Sequence, residues 1–557
     1  MSQIIGVYGI QDRFFHHYPA YVHDHNLTII EAGKVEGYLH LERHSRRKYD
    51  NRLSEYIEEL LLEGPYQVEP DAHWVFVNSF VGNNFQSSQG RIRFELQDSP
   101  RIMTSSQRGW GWLQNAPWEG REFRACLLSH ELAHIGACLP FYGAFKENSL
   151  LVHFDGGASQ SNFSAFLYRE GRIHHLEHHW ELSHLSKFYN DNAFTFRVLK
   201  AEPGTHTSVP GKLMGYAALG NYRPEMVKWL EEEDYFRMIW DNETYFLHCA
   251  QKKWGWKGSL DDQEDPFLLD VTATLQEIFI QGILKKLSQL QHIYRTDYLY
   301  YSGGCALNIL ANKRIIDSGL FHEVFIPPCC NDSGLSLGAA AWVSWEIGEQ
   351  TVLHSPYLNQ WGQDNSWTYD PEDIRMVGDL LSEGRLVAIC NGKGEIGPRA
   401  LGNRSILGRS DDPALTQRLS ISCKQREWYR PLAPVMLGEV LARVTGQKVP
   451  QASKYMLTEC LILPAFQTKL LGALHGGGSA RVQSITHKRQ NPFIFDLLSY
   501  CLEAHGMYGL LNTSFNGKSE PIVQTESEAR HAAIRMSLDG LVFNGKYQPI
   551  LQSDDKL

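Results

Sequence analysis

Two stretches of this sequence are written in the same grammar, and that repetition limits the fold more than any other feature. Near the start, Ile4-Ile5-Gly6-Val7-Tyr8-Gly9 is a short β-type run, and Ala20-Tyr21-Val22 and then Asn26 to Ala32 continue in the same style around a turn. Further along, Ser149 to Gly157 and Asn162 to Tyr168 read as a strand, an Asp-Gly turn and a second strand, which places Asp155 at a strand end where a loop can present it. Two meander-like blocks point to two similar half-domains before residue 350. Helix-like stretches at 51–62, 121–142 and 270–290 accompany them, so the expected class is α/β.

A chain of 557 residues exceeds what one compact core supports. Residues 350–367 are rich in Ser, Pro, Asn, Gln and Gly with little periodicity. They set the expected division into a first domain over 1–350, a linker over 351–367 and a second domain over 368–557. Past that boundary the apolar run Leu386 to Cys390 leads directly into Asn391-Gly392-Lys393-Gly394, where glycines let backbone amides approach a ligand.

Net charge narrows the function. At −10, the chain lacks the positive field that phosphate-backbone binding needs, so no nucleic-acid partner is expected. The N-terminus carries neither a basic n-region nor an apolar h-region, and no uninterrupted apolar run of membrane-spanning length stands out, so a cytoplasmic protein without membrane contact is expected. Ten irregularly spaced cysteines do not form a disulfide framework, and the adjacent Cys329 and Cys330 read as two packed thiols.

Four constellations could carry chemistry. In Ser129-His130-Glu131-Leu132-Ala133-His134, helical i, i+4 spacing puts both imidazoles on one face, where they suit a metal ion. The same string matches the zinc-peptidase pattern with Glu131 as general base, although Ala137 and Pro140 occupy the positions where the extended pattern wants Gly and His. Ser302 to Asn308 follows a strand and opens a helix, the physics of a nucleotide site. Asp332 precedes the small-residue run to Ala340 and is either a metal ligand or a helix cap. Finally Arg399, Arg404, Lys424, Arg426, Arg430 and Arg481 concentrate positive charge among apolar and turn residues, which suits phosphate. His174-His175-Leu176-Glu177-His178-His179 is either a further metal patch or a set of solvated loop histidines.

In this order the constellations resemble the NodU/CmcH family of O-carbamoyltransferases, whose members carbamoylate nodulation factors, cephamycin and tobramycin. The strings that carry the resemblance run nearly the whole chain: His16, Glu42 to Lys48, Ser129 to His134, Phe154-Asp155-Gly156, Gly211 to Gly215, Gly303 to Asn308, Asp332 to Ala340, Gly397 to Leu407, Lys424 to Pro434, Ala480 to Gln483 and Leu511 to Asn516. The resemblance implies an N-terminal Kae1-like domain of the actin/hexokinase (ASKHA) type followed by a YrdC-like α/β domain. It implies that the second domain binds carbamoyl phosphate, joins carbamate to AMP from ATP with release of pyrophosphate, and passes carbamoyl adenylate to the first. There a hydroxyl of a small-molecule natural product attacks.

By the same resemblance a divalent metal, Fe(II) or alternatively Mg or Mn, is held by His130, His134, Asp155 and Asp332. Lys212, Gly215, Gly303, Gly304, Asn308, Arg399, Arg404, Arg426, Arg481, Asn512, Ser514 and Asn516 bind the nucleotide and its cosubstrate, Lys424 and Arg430 act on the carbamoyl and phosphate groups, and His16 is the base. The chain departs from its relatives in having Glu131 where many have His, and His16-His17 where they have His-Asp. The alternative reading is a zinc metallopeptidase built on His130 and His134, and a third is a non-catalytic nucleotide-binding module. A homodimer is the default assembly.

Overall fold

The computed structural model describes residues 2–9, 22–78, 85–94, 114–118, 121–191, 196–200, 206–233, 243–359, 361 and 366–550. The first meander is β1 (Gln3–Tyr8), β2 (Asn26–Glu31) and β3 (Lys34–His40), paired antiparallel. β4 (His73–Val77) joins β1 in parallel, and the hairpin of β5 (Gln114–Trp118) and β6 (Arg121–Leu128) extends the sheet, with β6 parallel to β4. A second sheet repeats the plan. β7 (Ser149–Phe154), β8 (Phe163–Arg169) and β9 (Arg172–His179) form the meander, and β10 (Tyr298–Ser302) and β11 (Glu323–Phe325) add in parallel. The orders β3-β2-β1-β4-β6 and β9-β8-β7-β10-β11 are equivalent, so the half-domain repeat is a duplicated sheet of the actin/hexokinase type.

β1 and β7 are central strands buried along their whole length, which explains why both are mostly apolar and lack a polar solvent face. The same effect misled the reading of 121–142 as one helix. Residues 121–128 are the parallel strand β6, and the helix α1 (His130–Gly136) starts only after Ser129, whose side chain caps it by accepting from Leu132 N. The stretch 270–290 lies inside α2 (Pro266–Tyr294), a 29-residue helix long and apolar enough to cross a membrane. Its Val271, Leu275, Phe279, Ile283 and Leu287 pack instead into the core of the second half. The histidine string 174–179 lies on β9, an edge strand rather than a loop.

The third sheet holds β13 (Val387–Cys390), β15 (Arg404–Arg409), β16 (Ala433–Leu437), β17 (Gln483–Ile485), β18 (Leu510–Ser514), β19 (Gly540–Phe543) and β20 (Lys546–Pro549), in the order β17-β16-β18-β15-β13-β19-β20. It is a mixed α/β unit in the position expected for the YrdC-like domain. Residues 351–367 are not a bare linker. Tyr357–Asn359 is β12, paired with β3, and β14 (Gly394–Glu395) pairs on its outer side, so both belong to the first sheet. Leu358 and Ile396 are buried there with Tyr38, Ala137 and Leu337.

Candidate metal and anion sites

One close helix crossing builds the first site. α1 meets α3 (Leu335–Glu346) through two glycines: a Cβ at Gly136 would lie 2.4 Å from Gly338 O, and one at Gly338 would lie 1.9 Å from Ala133 O. Only hydrogen at both positions allows that approach. It brings the turn Asp332–Gly334, which opens α3, against the imidazoles of α1. His130 Nε2 and His134 Nε2 are 3.0 Å apart, and Asp332 Oδ1 lies 3.5 and 3.4 Å from them. Tyr8 donates to the other carboxylate oxygen at 2.8 Å, so Asp332 is oriented rather than used as a helix cap. Burial, and then the Asp332 charge, push the Tyr8 phenol well above its ordinary range.

Asp155 arrives from the end of β7, with Oδ2 3.6 Å from His134 Nε2. Gly304 N and Gly156 N donate to its two oxygens. Gly303, at φ +101°, lets the end of β10 lie where a Cβ would be 2.2 Å from Phe154 O. The Gly303-Gly304 pair therefore positions a carboxylate, whatever else it binds. Burial works against a charged Asp332, yet the His130 and His134 contacts hold its carboxyl well below the usual range. Two imidazole nitrogens facing each other at 3.0 Å can share one proton, whereas a cation satisfies both lone pairs and both carboxylates. The four residues fit a divalent ion.

Glu131 does not face that pocket. Its oxygens accept from Ser159 Oγ at 2.5 Å, Gln160 N at 2.7 Å, and Ser161 N and Oγ at 3.2 and 3.4 Å. The carboxylate pins the loop after Asp155 and is fully engaged, so it cannot serve as the general base that a metallopeptidase requires.

His16 lies outside the described residues. Another histidine, His23, is paired with a carboxylate among the described residues. His23 Nδ1 is 3.0 Å from Asp24 Oδ2, and Asp24 Oδ1 is 3.0 Å from His40 Nε2. Burial opposes charge on His23, but the bond to Asp24 and the fields of Asp332, Asp24 and Asp155 lift its pKa to about 9. Asp24 sits at φ +58°, a conformation that an Asp tolerates better than most residues. The His-Asp dipeptide at 23–24 is visible in the sequence, where it was not singled out.

The second site is cationic. Lys424 Nζ donates to Ser514 O, to Asn516 O and Oδ1 at 2.8 Å each, and to Ser514 Oγ at 3.2 Å. Arg426 reaches Thr513 Oγ1 at 3.1 Å and Ser514 Oγ at 3.3 Å. Arg430 lies 3.6 Å from Glu427, a carboxylate that Lys212 also claims at 2.5 Å. The buried Nε groups of Arg399 and Arg481 have no hydrogen-bond acceptor. Burial, followed by the charges of Arg399, Arg426 and Arg430, forces the Arg481 guanidinium well below its ordinary range, and burial with Arg426 and Arg430 does the same to Lys424. Mutually repelling buried cations with open donors are built for an anion.

Other expected binders have structural work. Arg404 is buried and donates to five carbonyls, those of Val523, Asn391, Asn403, Gly392 and Gln524, which leaves its fork nothing for a phosphate. Asn308 caps the helix Ile309–Asp317 through Ala311 N and pairs with Gln276. Asn512 is buried against Gln483 and Ala400 O. Lys212 and Gly215, on the helix Val209–Ala217, meet the second unit: Lys212 also donates to Lys200 O at 2.7 Å, and a Cβ at Gly215 would be 3.1 Å from Tyr429 O. Both residues lie against the cation loop.

Residues 123–341 match the family described as Carbamoyltransferase N-terminus, and residues 378–548 match Carbamoyltransferase C-terminus. Among curated proteins the chain is 32% identical over 293 residues to the nodulation protein NolO of Bradyrhizobium diazoefficiens, a match covering 49% of this chain and 53% of NolO. It is 26% identical to the nodulation protein NolNO of Sinorhizobium fredii over 94% of this chain and 78% of that one. Among solved structures, full-length HypF in its phosphate- and nucleotide-bound form aligns over 63% of this chain and 56% of its own at 12% identity, with a TM-score of 0.33.

Proposed function

Because this chain belongs to the carbamoyltransferase family of the NodU type, we propose that it is an ATP-dependent O-carbamoyltransferase that uses carbamoyl phosphate and acts on a hydroxyl of a small natural product. One observation carries the reading: a single chain holds a pocket of crowded cations with open donors and a separate pocket of imidazoles and carboxylates. Anion activation and group transfer need these two environments.

In the second unit Arg399, Arg426, Arg430 and Arg481 hold the phosphates of ATP and carbamoyl phosphate, while Lys424 orders the Ser514–Asn516 loop beside them. Water splits carbamoyl phosphate into carbamate and inorganic phosphate, the carbamate oxygen attacks the α-phosphorus of ATP, the bond to pyrophosphate breaks, and carbamoyl adenylate forms. In the first unit the acceptor hydroxyl attacks the carbamoyl carbon, AMP leaves with the bonding pair, and His23, oriented by Asp24, takes the hydroxyl proton. A divalent ion held by His130, His134, Asp155 and Asp332 supplies positive charge for the leaving phosphate. The imidazole–carboxylate donor set suits Fe(II) or Mn(II) better than Mg(II). The bond to Asp24 does most to raise His23, and two of the other carboxylates that raise it, Asp332 and Asp155, are among the residues that would hold the ion.

Pyrophosphate release and acceptor carbamoylation, measured separately with ATP and carbamoyl phosphate, test this division. Arg430→Ala is expected to suppress both, and His130→Ala to block transfer while sparing pyrophosphate release. Equal loss of both steps in His130→Ala would contradict two sites, and ATP binding without consumption of carbamoyl phosphate would favour a regulatory module.

A further inference from the structure

His153 is a buried polar side chain that the proposed reaction leaves without a task. It is fully buried on β7, and neither ring nitrogen has a hydrogen-bond partner. Enclosing an imidazole with both nitrogens unsatisfied destabilises the fold, so the folded protein needs a partner for it.

Strand alternation says where the ring is aimed. Val152 and Phe154 belong to the core of the second half, whereas Leu151 packs in the core that includes Leu132 and Ile135 of α1. His153 and Asp155, two and four residues after Leu151, share its direction. The His153 ring stacks on His134 with centroids 5.2 Å apart and 24° between planes, and its centroid is 6.3 Å from that of His130. A nitrogen of His153, one of His134 and an oxygen of Asp155 all lie within 4.8 Å of one another. This trio shares His134 with the group of His130, His134 and Asp332. Donors on opposite sides of one ion bonded at roughly 2.0–2.2 Å are separated by about 4.4 Å at most, so His153 stands close to the spacing that would let it share an ion with His134 and Asp155.

We propose that His153 is a fifth protein donor to this ion, making the centre a cage of three imidazoles and two carboxylates. The inference rests on the metal reading above and deepens it. A third imidazole biases the site toward first-row transition ions and away from magnesium, which prefers oxygen donors and keeps its waters. The competing role is a stacking platform that steadies His134, and His153→Phe separates the two because it keeps the ring and removes the nitrogens.

The test reads the metal rather than turnover. Full-length wild-type protein loaded with Co(II) is expected to show three imidazoles by X-ray absorption, and His153→Phe two. Co(II) affinity should fall at least about tenfold in His153→Phe, with a changed visible spectrum. Two imidazoles in the wild type, or unchanged affinity and spectrum in a folded His153→Phe, overturn the proposal while leaving the metal site standing. A wild type that retains no ion overturns the metal reading beneath it. If His153→Phe fails to fold, the imidazole count on the wild type decides.

Discussion

Gly338→Ala should disable the first site while leaving the second intact. Its Cβ would sit 1.9 Å from Ala133 O and 2.7 Å from Ala137 N, both backbone atoms of α1 or its cap. Relief to even a tight contact of roughly 3 Å moves α1 and α3 apart by about 1 Å, at a cost of about 1–3 kcal/mol. His130 and His134 travel with α1, and Asp332 travels with the turn that opens α3. Metal sites tolerate about 0.2 Å in donor distances, so a displacement several times larger should empty the site and lower transfer on the order of 100-fold. The assay is metal content by plasma mass spectrometry after dialysis, beside carbamoyl transfer and pyrophosphate release. Gly136→Ala, whose Cβ would meet Gly338 O at 2.4 Å, should give a smaller loss in the same direction. Gly338→Ala protein with wild-type metal content and transfer would refute the argument that this crossing sets the cage.

Glu131→Gln keeps the shape of the side chain but turns an amide donor toward hydroxyl and backbone donors that now meet an oxygen; it should cost about 2–4 kcal/mol in denaturant melts. Unchanged stability would show that Glu131 does not pin the 159–161 loop. In metal-free protein, His23 has a folded pKa of about 9 against 6.5 for the free side chain, so its ionic contribution of about 3 kcal/mol is complete below pH 6.5 and lost as pH rises through 9. The stability gap between wild type and His23→Gln should close over that window, and a gap constant from pH 6 to 10 would remove the ion pair from the account.

The parts of this molecule that obey local periodicity were readable in advance. The i, i+4 histidines, the Asp after a strand and the long helix at 270–290 follow from spacing alone. Central strands were harder, because the apolar second half of β6, Ala125 to Leu128, is buried throughout and looks like part of a buried helix until its pairing with β4 is known. Charge could be found but not sorted: Arg404 and Arg481 look equivalent in sequence, yet one is saturated by carbonyls and the other keeps an unpaired Nε. That difference depends on loops from distant parts of the chain. His153 was overlooked for the same reason, since a lone histidine in an apolar strand shows its purpose only when the strand's neighbours are in place.

The excursion of β14 bears on how such a chain can be recombined. After β13 the backbone leaves the third sheet, adds two residues to the rim of the first, sets Gly397 against Pro328, and returns as β15. The halves are therefore laced together rather than strung in series. A cut through 350–367 would strip the first sheet of two outer strands, and a transplanted C-terminal half would have to bring a loop cut to fit the host's rim.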